Sequence, residues 1–216
     1  MHISEGILSA PVLISGVALA AAGTAIGLKK LEDHKIPQAA IPSAAFFVAS
    51  LIHVPIGPSS AHLILNGIVG LLLGWAAFPV ILIALLLQGM LFQFGGITTL
   101  GVNTVIMAAP AVICYFLFGF LINRNGTVSF CASFACGFLS VFFSGIIVGL
   151  ALMFTEENFF GVASAVVIAH IPVMIIEGFV AAFCVSFLKK VRPELLPCPE
   201  CETIIIPEKA PQVAEG

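Results

Sequence analysis

Five histidines occur in this chain of 216 residues, and four of them, His2, His53, His62 and His170, lie inside apolar stretches or at their edges. Histidine is the commonest metal ligand among side chains, and inside a membrane it also serves as a hydrogen-bonding link between helices. His2 adds something the others lack. With a free amine at Met1, the His2 amide nitrogen and the imidazole Nδ1 close a five- and a six-membered ring on one ion. These nitrogens lie nearly in one plane and leave a fourth planar position open. Such a set favours Ni(II) or Cu(II) and accepts Co(II), against the tetrahedral preference of Zn(II) and the oxygen preference of Mg(II).

Other polar groups are candidates for supporting roles. His53 suits a partner that orients a ligand. Glu5, Ser59, Ser60 and Asn66 have the chemistry to orient imidazoles, and equally to cap helices or bond between them. His170 and Glu177 are two helical turns apart and share a face; Glu177 is the only acidic residue inside an expected span. Intramembrane carboxylates are functional candidates by default, and a structural pair satisfied within the bundle is the competing reading. Cys114, Cys131, Cys136 and Cys184 sit in apolar stretches, where thiols behave as small hydrophobes rather than as a disulfide framework. The lone Cys198-x-x-Cys201 lacks two further ligands and is expected to have no transport role.

The elements that must position these groups follow from composition. Hydrophobic residues make up 60% of the chain and charged residues 9%, and mean hydropathy is +1.18. These values fall outside the range of soluble domains. A net charge of −3, weak and dispersed, argues against nucleic-acid binding. The apolar runs are continuous rather than alternating, which excludes a β-barrel. The expected fold is all-α and integral to the membrane, a bundle of about seven transmembrane helices. The spans fall at about 6–28, 39–55, 61–76, 78–95, 103–122, 128–154 and 159–188, at roughly 20 apolar residues each. Trp75 marks a tight break between the third and fourth.

Charge orders these spans. No Lys or Arg precedes Lys29, so the first span reads as an uncleaved segment inserted with its N-terminus outside rather than as a signal peptide. Seven spans from that start place every Lys and Arg on the cytoplasmic side, as the positive-inside rule requires, with the C-terminus cytoplasmic. Residues 1–192 form the membrane domain, and the Pro-rich acidic tail 193–216 is expected to be flexible. His2, His53 and His62 then share the outer end with the Gly-, Pro-, Ser- and Thr-rich stretches 55–61 and 95–103, which are expected to line an outward cavity.

The segments MHISEGILSAP, FFVASLIHVPIGPSSAHLILNGIVGLLLGWAAFP, FGGITTLGVNT and HIPVMIIEGF…KKVRPELL resemble the CbiM/NikM family over nearly the whole chain to about Leu196. These are substrate-binding (S) components of energy-coupling factor (ECF) transporters for cobalt and nickel. The resemblance implies a metal held by the N-terminal amine, the His2 amide and imidazole, and one more imidazole that maps to His62. It implies Co(II) or Ni(II) as transported ion rather than as permanent cofactor, and a prokaryotic plasma membrane (the inner membrane of a Gram-negative cell). A cobalt importer would feed cobalamin biosynthesis. The implied partners are a coupling (T) membrane subunit, cytoplasmic ATPase subunits and a small accessory membrane subunit. In ECF transporters generally, small-residue helix faces dock the S component; the first span (Gly16, Ala20; Ala18, Ala22; Gly23, Gly27) and the third (Gly70, Gly74) carry such spacings.

No G-x-x-x-x-G-K-[ST] loop is present, so a transporter built on this chain takes ATP hydrolysis from partners. A self-sufficient channel or secondary carrier would need polar groups through the bilayer, and only His170, Glu177, Gln88, Gln93 and a few hydroxyls are available. An intramembrane metalloenzyme would need an HExxH pair or an open metal position. Neither is found. The expected protein is therefore a transporter subunit and not an enzyme, with cobalt and nickel equally compatible with the donors.

Overall fold

The structure, a computed structural model, describes residues 2–51, 53–56, 59–155, 161 and 167–196. Its α-helices are α1 (Ala10–Lys30), α2 (Ile36–Ala49), α3 (Asn66–Leu73), α4 (Ala77–Phe92), α5 (Leu100–Phe118), α6 (Gly126–Met153) and α7 (Ile171–Val191). One antiparallel hairpin, β1 (His53–Ile56) with β2 (Ser59–His62), joins α2 to α3. Among the described residues, five segments are long and apolar enough to cross a membrane: Ala10–Lys30, Asn66–Phe92, Leu100–Leu121, Gly126–Met153 and Ile171–Val191.

Of these, Asn66–Phe92 does not run straight. It turns back at Gly74 (φ 52), a left-handed position that glycine takes without a Cβ penalty. α3 descends beside α5 in parallel. Asn66 reaches the Met107 carbonyl, Gly70 lies on Ala111, and Gly74 lies on Tyr115, so each turn of α3 meets one turn of α5. A Cβ on Gly70 would come within 2.2 Å of the Ala111 carbonyl oxygen; only glycine permits that approach. α4 then climbs back beside α2, with Val80 bonded to Ser43 and Gln88 to Phe47.

These contacts sort the bundle into two ends. Lys29 and Lys30 close α1 where Gly27 meets the Trp75 carbonyl. Lys189 donates to the carbonyls of Ile122 and Arg124 at that same end, which α5 reaches as Tyr115 and Phe116 pack beside Gly74 and Trp75. The opposite end holds His2, Ser50, Gln88 and Asn103, linked by side-chain hydrogen bonds. Lys29, Lys30 and Lys189 thus lie at the end of the bundle opposite to His2.

Several boundaries differ from expectation. The first helix starts at Ala10 rather than near residue 6, because Pro11 sits in its first turn, where its missing N–H costs nothing; the chain before it turns at Glu5–Gly6 and bends at Ile7–Leu8. The third helix is 8 residues long, about 12 Å, because Ser59–His62 pairs as a strand instead of extending it. α3 begins opposite Met107, about 10 Å below the start of α5, and the hairpin and Leu63–Leu65 precede it in the chain. Irregular backbone at such depth persists where protein satisfies its polar groups. The last helix starts at Ile171, after a turn at His170 with Pro172 in its first turn, not near 159; residues 156–160 and 162–166 lie outside the described residues.

Two further expectations change. Gly16, Ala20, Gly23 and Gly27 are buried inside the chain against α5 and the α3–α4 turn, and Gly70 and Gly74 face α5, so these small residues pack this bundle rather than a partner; Ala18 and Ala22 are exposed. The tail was expected to be flexible from Pro193, yet Pro193–Leu195 form a turn and Leu196 is buried in a cluster with Ile122, Cys136 and Val185. Residues 197–216 lie outside the described residues.

Candidate functional site

The residues ahead of α1 are threaded into the bundle. His2 is 6% exposed and Ile3 fully buried. Asn103 of α5 grips the Ile3 main chain from both sides: its Oδ1 accepts from the Ile3 N–H at 2.9 Å and its Nδ2 donates to the Ile3 carbonyl at 3.1 Å. Neither main-chain group has a helix or sheet to satisfy it, so one side-chain amide does the work of a β-ladder. Thr99 holds Asn103 in turn, accepting from Nδ2 at 3.2 Å.

His2 Nε2 lies 3.0 Å from Gln88 Oε1 of α4. The Gln88 amide is itself fixed by the end of α2, donating from Nε2 to the Phe47 carbonyl at 3.4 Å and to the Ser50 hydroxyl. Gly95, in the left-handed region (φ 80), backs the pair so closely that a Cβ there would lie 3.4 Å from His2 Cδ2 and 3.1 Å from Asn103 Nδ2. Further out, Glu5 Oε1 accepts from the Thr98 N–H and hydroxyl at 3.2 and 3.3 Å. This ties the N-terminal segment to the α4–α5 loop. A cleft of about 640 Å³, lined by Ser4, Glu5, Met90, Gln93 and Gly96 among others, opens beside it.

The second histidine-bearing element is the hairpin. Its register pairs His53 with His62 and Ile56 with Ser59, which places the two histidines opposite each other on neighbouring strands. Directly after His62, the main-chain N–H groups of Ile64 and Leu65 both donate to Glu177 Oε1 of α7. Leu65 takes a left-handed backbone (φ 57), uncommon for a residue with a Cβ, and the carboxylate holds it there. Asn66 follows, fully buried. It donates to the Met107 carbonyl and Ser144 hydroxyl and accepts from the Ser140 hydroxyl, at 3.0, 3.1 and 3.0 Å, which joins α3, α5 and α6.

Of the residues singled out from sequence, His2, Glu5, Asn66 and Glu177 are built into these grips, and His53, Ser59, Ser60 and His62 lie on the paired strands; Met1 lies outside the described residues. His170 is fully buried at the start of α7, and Glu177 accepts from the Ile64 and Leu65 N–H groups. Among the described residues, no group of three or more His, Cys, Asp or Glu side chains gathers to hold a metal. The set anticipated here draws two donors from main-chain nitrogens. Sequence reading missed Ser50, Thr98 and Asn103, and took Gln88 only as a stepping stone across the bilayer. The available signal was a strongly polar side chain in an otherwise apolar helix.

Comparison with known proteins places this architecture. The family described as "CbiM: Cobalt uptake substrate-specific transmembrane region" matches residues 2–195. A Haemophilus influenzae protein named for metal transport is 42% identical, over 91% of this chain and 97% of its own. A Methanocorpusculum labreanum protein named as a fused cobalt transport protein CbiMQ is 30% identical over 90% of this chain, which covers 36% of that longer one. A crystal structure described as a transition metal transporter superposes with a TM-score of 0.77 at 27% identity, covering 88% of this chain and 93% of that one. Relatives are named for cobalt and for nickel transport alike.

Proposed function

This chain belongs to the CbiM family of transmembrane components for cobalt and nickel uptake, a transport component and not an enzyme, and from that premise we propose that it is the metal-capturing S component of an ECF importer. Its substrate is Co(II) or Ni(II), taken from outside the cell. The donors are the Met1 amine, the His2 amide nitrogen, His2 Nδ1 and an imidazole nitrogen of His62. The observation that carries this reading is the burial of His2 at the end of the bundle away from the lysines, with its Nε2 engaged by Gln88. That engagement turns Nδ1, the nitrogen able to close a ring with the main chain, to the chelating role. The Asn103 clamp on Ile3 fixes the chain immediately after His2.

The chain acts with partners. Fusion of a relative into a longer CbiMQ chain supports assembly with further transporter subunits: a coupling membrane protein, ATPases on the cytoplasmic side and a small accessory membrane subunit. Gln88 and Glu177 are the strongest polar candidates for a conducting path, and both are occupied in internal bonds. This favours a capture subunit over a self-sufficient channel. A cobalt substrate would supply corrin synthesis.

The test is calorimetric titration of the detergent-solubilised protein with Ni(II) and Co(II). Acetylating the terminal amine, inserting one Ala between Met1 and His2, and His62→Ala should each weaken binding severely, while His53→Ala is milder. Binding should also weaken as pH falls, because the amine, amide and imidazoles shed protons to coordinate. Undiminished affinity after acetylation, or in His62→Ala, would overturn the donor set. An impermeant thiol reagent applied to intact cells should label a cysteine placed at Glu157; labelling only after permeabilisation would reverse the orientation.

A further inference from the structure

Gln88 does more than touch His2. Its Nε2 donates to the Phe47 carbonyl, a group that only accepts, and to the Ser50 hydroxyl. The Ser50 proton is directed to the Phe46 and Phe47 carbonyls, each 3.0 Å away, so that hydroxyl meets Gln88 as an acceptor. Both contacts require the amide nitrogen of Gln88 to face α2. Its oxygen therefore faces His2, 3.0 Å from Nε2. A carbonyl oxygen has no proton to give, so Nε2 must carry the hydrogen of this bond, and a neutral imidazole protonated at Nε2 has its lone pair on Nδ1.

We propose that Gln88 is a positioning residue for metal capture: the chain Ser50/Phe47–Gln88–His2 locks the empty protein in the Nε2–H tautomer, so that Nδ1 is poised to bind before any ion arrives. This rests on the donor set proposed above and deepens it. The physical logic is that of the hydrogen-bonded partners behind metal-ligating histidines, which fix tautomer and ring orientation. Its unusual element is the direction in which information runs. The C-terminal turn of α2 sets the amide orientation, the amide sets the tautomer, and the tautomer sets which ring nitrogen meets the metal. Gln88 is fully buried, so water does not compete for these bonds.

Three variants separate this role from simple packing. Gln88→Leu removes the acceptor while suiting an apolar helix. Gln88→Glu keeps an acceptor toward Nε2. Gln88→Lys offers only donors and pulls the proton to Nδ1. Nitrogen NMR of isotopically labelled histidine rings in the metal-free protein, with His2 assigned by comparison with His2→Asn, reads the tautomer directly. Wild type and Gln88→Glu should show Nε2–H, Gln88→Leu a mixture, and Gln88→Lys Nδ1–H. Ni(II) affinity should fall about 10–100-fold in Gln88→Leu, further in Gln88→Lys, and recover most of that loss in Gln88→Glu. An Nδ1–H tautomer in the wild type, or an unchanged tautomer in Gln88→Leu, overturns the inference. So does wild-type Ni(II) affinity in Gln88→Leu while N-acetylation still abolishes binding. If acetylation and His62→Ala are both harmless, the donor set has failed, and the tautomer of the metal-free protein still decides the role of Gln88.

Discussion

The two segments that carry His2 and His62 are held by different chemistry. Around His2 the grip is neutral: the amides of Gln88 and Asn103 bond one imidazole and one peptide unit. Beyond His62 the grip is a carboxylate, with Glu177 taking the consecutive N–H groups of Ile64 and Leu65. The difference follows from what each segment presents. Ile3 offers a donor and an acceptor together, which a side-chain amide matches with its own pair. Ile64 and Leu65 offer two donors, which one carboxyl oxygen collects. In both cases the bundle fixes the main chain beside a histidine.

The largest effect should come from removing the Glu177 grip. Glu177→Leu leaves the buried Ile64 N–H and the half-buried Leu65 N–H without this acceptor, at about 1–3 kcal/mol for the buried one. We expect the greatest fall in melting temperature in detergent, together with loss of Ni(II) binding; Glu177→Gln, which keeps an acceptor, should fall between. A Glu177→Leu protein as stable as wild type would show that the carboxylate does not hold the strand exit. Asn103→Leu should rank second. It frees the buried Ile3 N–H and carbonyl in the short segment ahead of α1, which can leave its seat without unfolding the helices, so stability should drop less than metal affinity. Hydrogen exchange would then quicken at Ile3 and stay unchanged at Ile64 and Leu65; equal acceleration at both would mean that the two grips are one unit. Thr98→Val is the smallest change. It removes one exposed bond to Glu5, and both stability and affinity should stay within about 0.5 kcal/mol of wild type.

The helical architecture was legible because apolar runs and charge order are local signals. α4, α5 and α6 lie within three residues of their expected starts. Departures came where local pattern misleads. The third span was expected to begin at residue 61, and only pairing with His53–Ile56 shows that Ala61 and His62 belong to a strand. His2 was singled out by the chemistry of a chain terminus. Its supports were not: the bond to Gln88 spans 86 positions and those from Asn103 to Ile3 span 100, and no periodicity encodes such a distance. Glu177 was flagged as unusual from its place in an apolar span. The donors it accepts from are main-chain groups more than a hundred residues away, which carry no signature in residue type.

The Asn103 clamp has a consequence for biogenesis. Ile3 cannot be seated until the ribosome has made α5, 100 residues later. At translation rates of about 5–20 residues per second that delay is roughly 5–20 s. During this interval the leading peptide stays undocked while α1 to α4 are inserted. Docking is therefore a late closing step of assembly, and a nascent chain halted before Asn103 would hold an assembled first half with its leading segment still accessible to modifying enzymes.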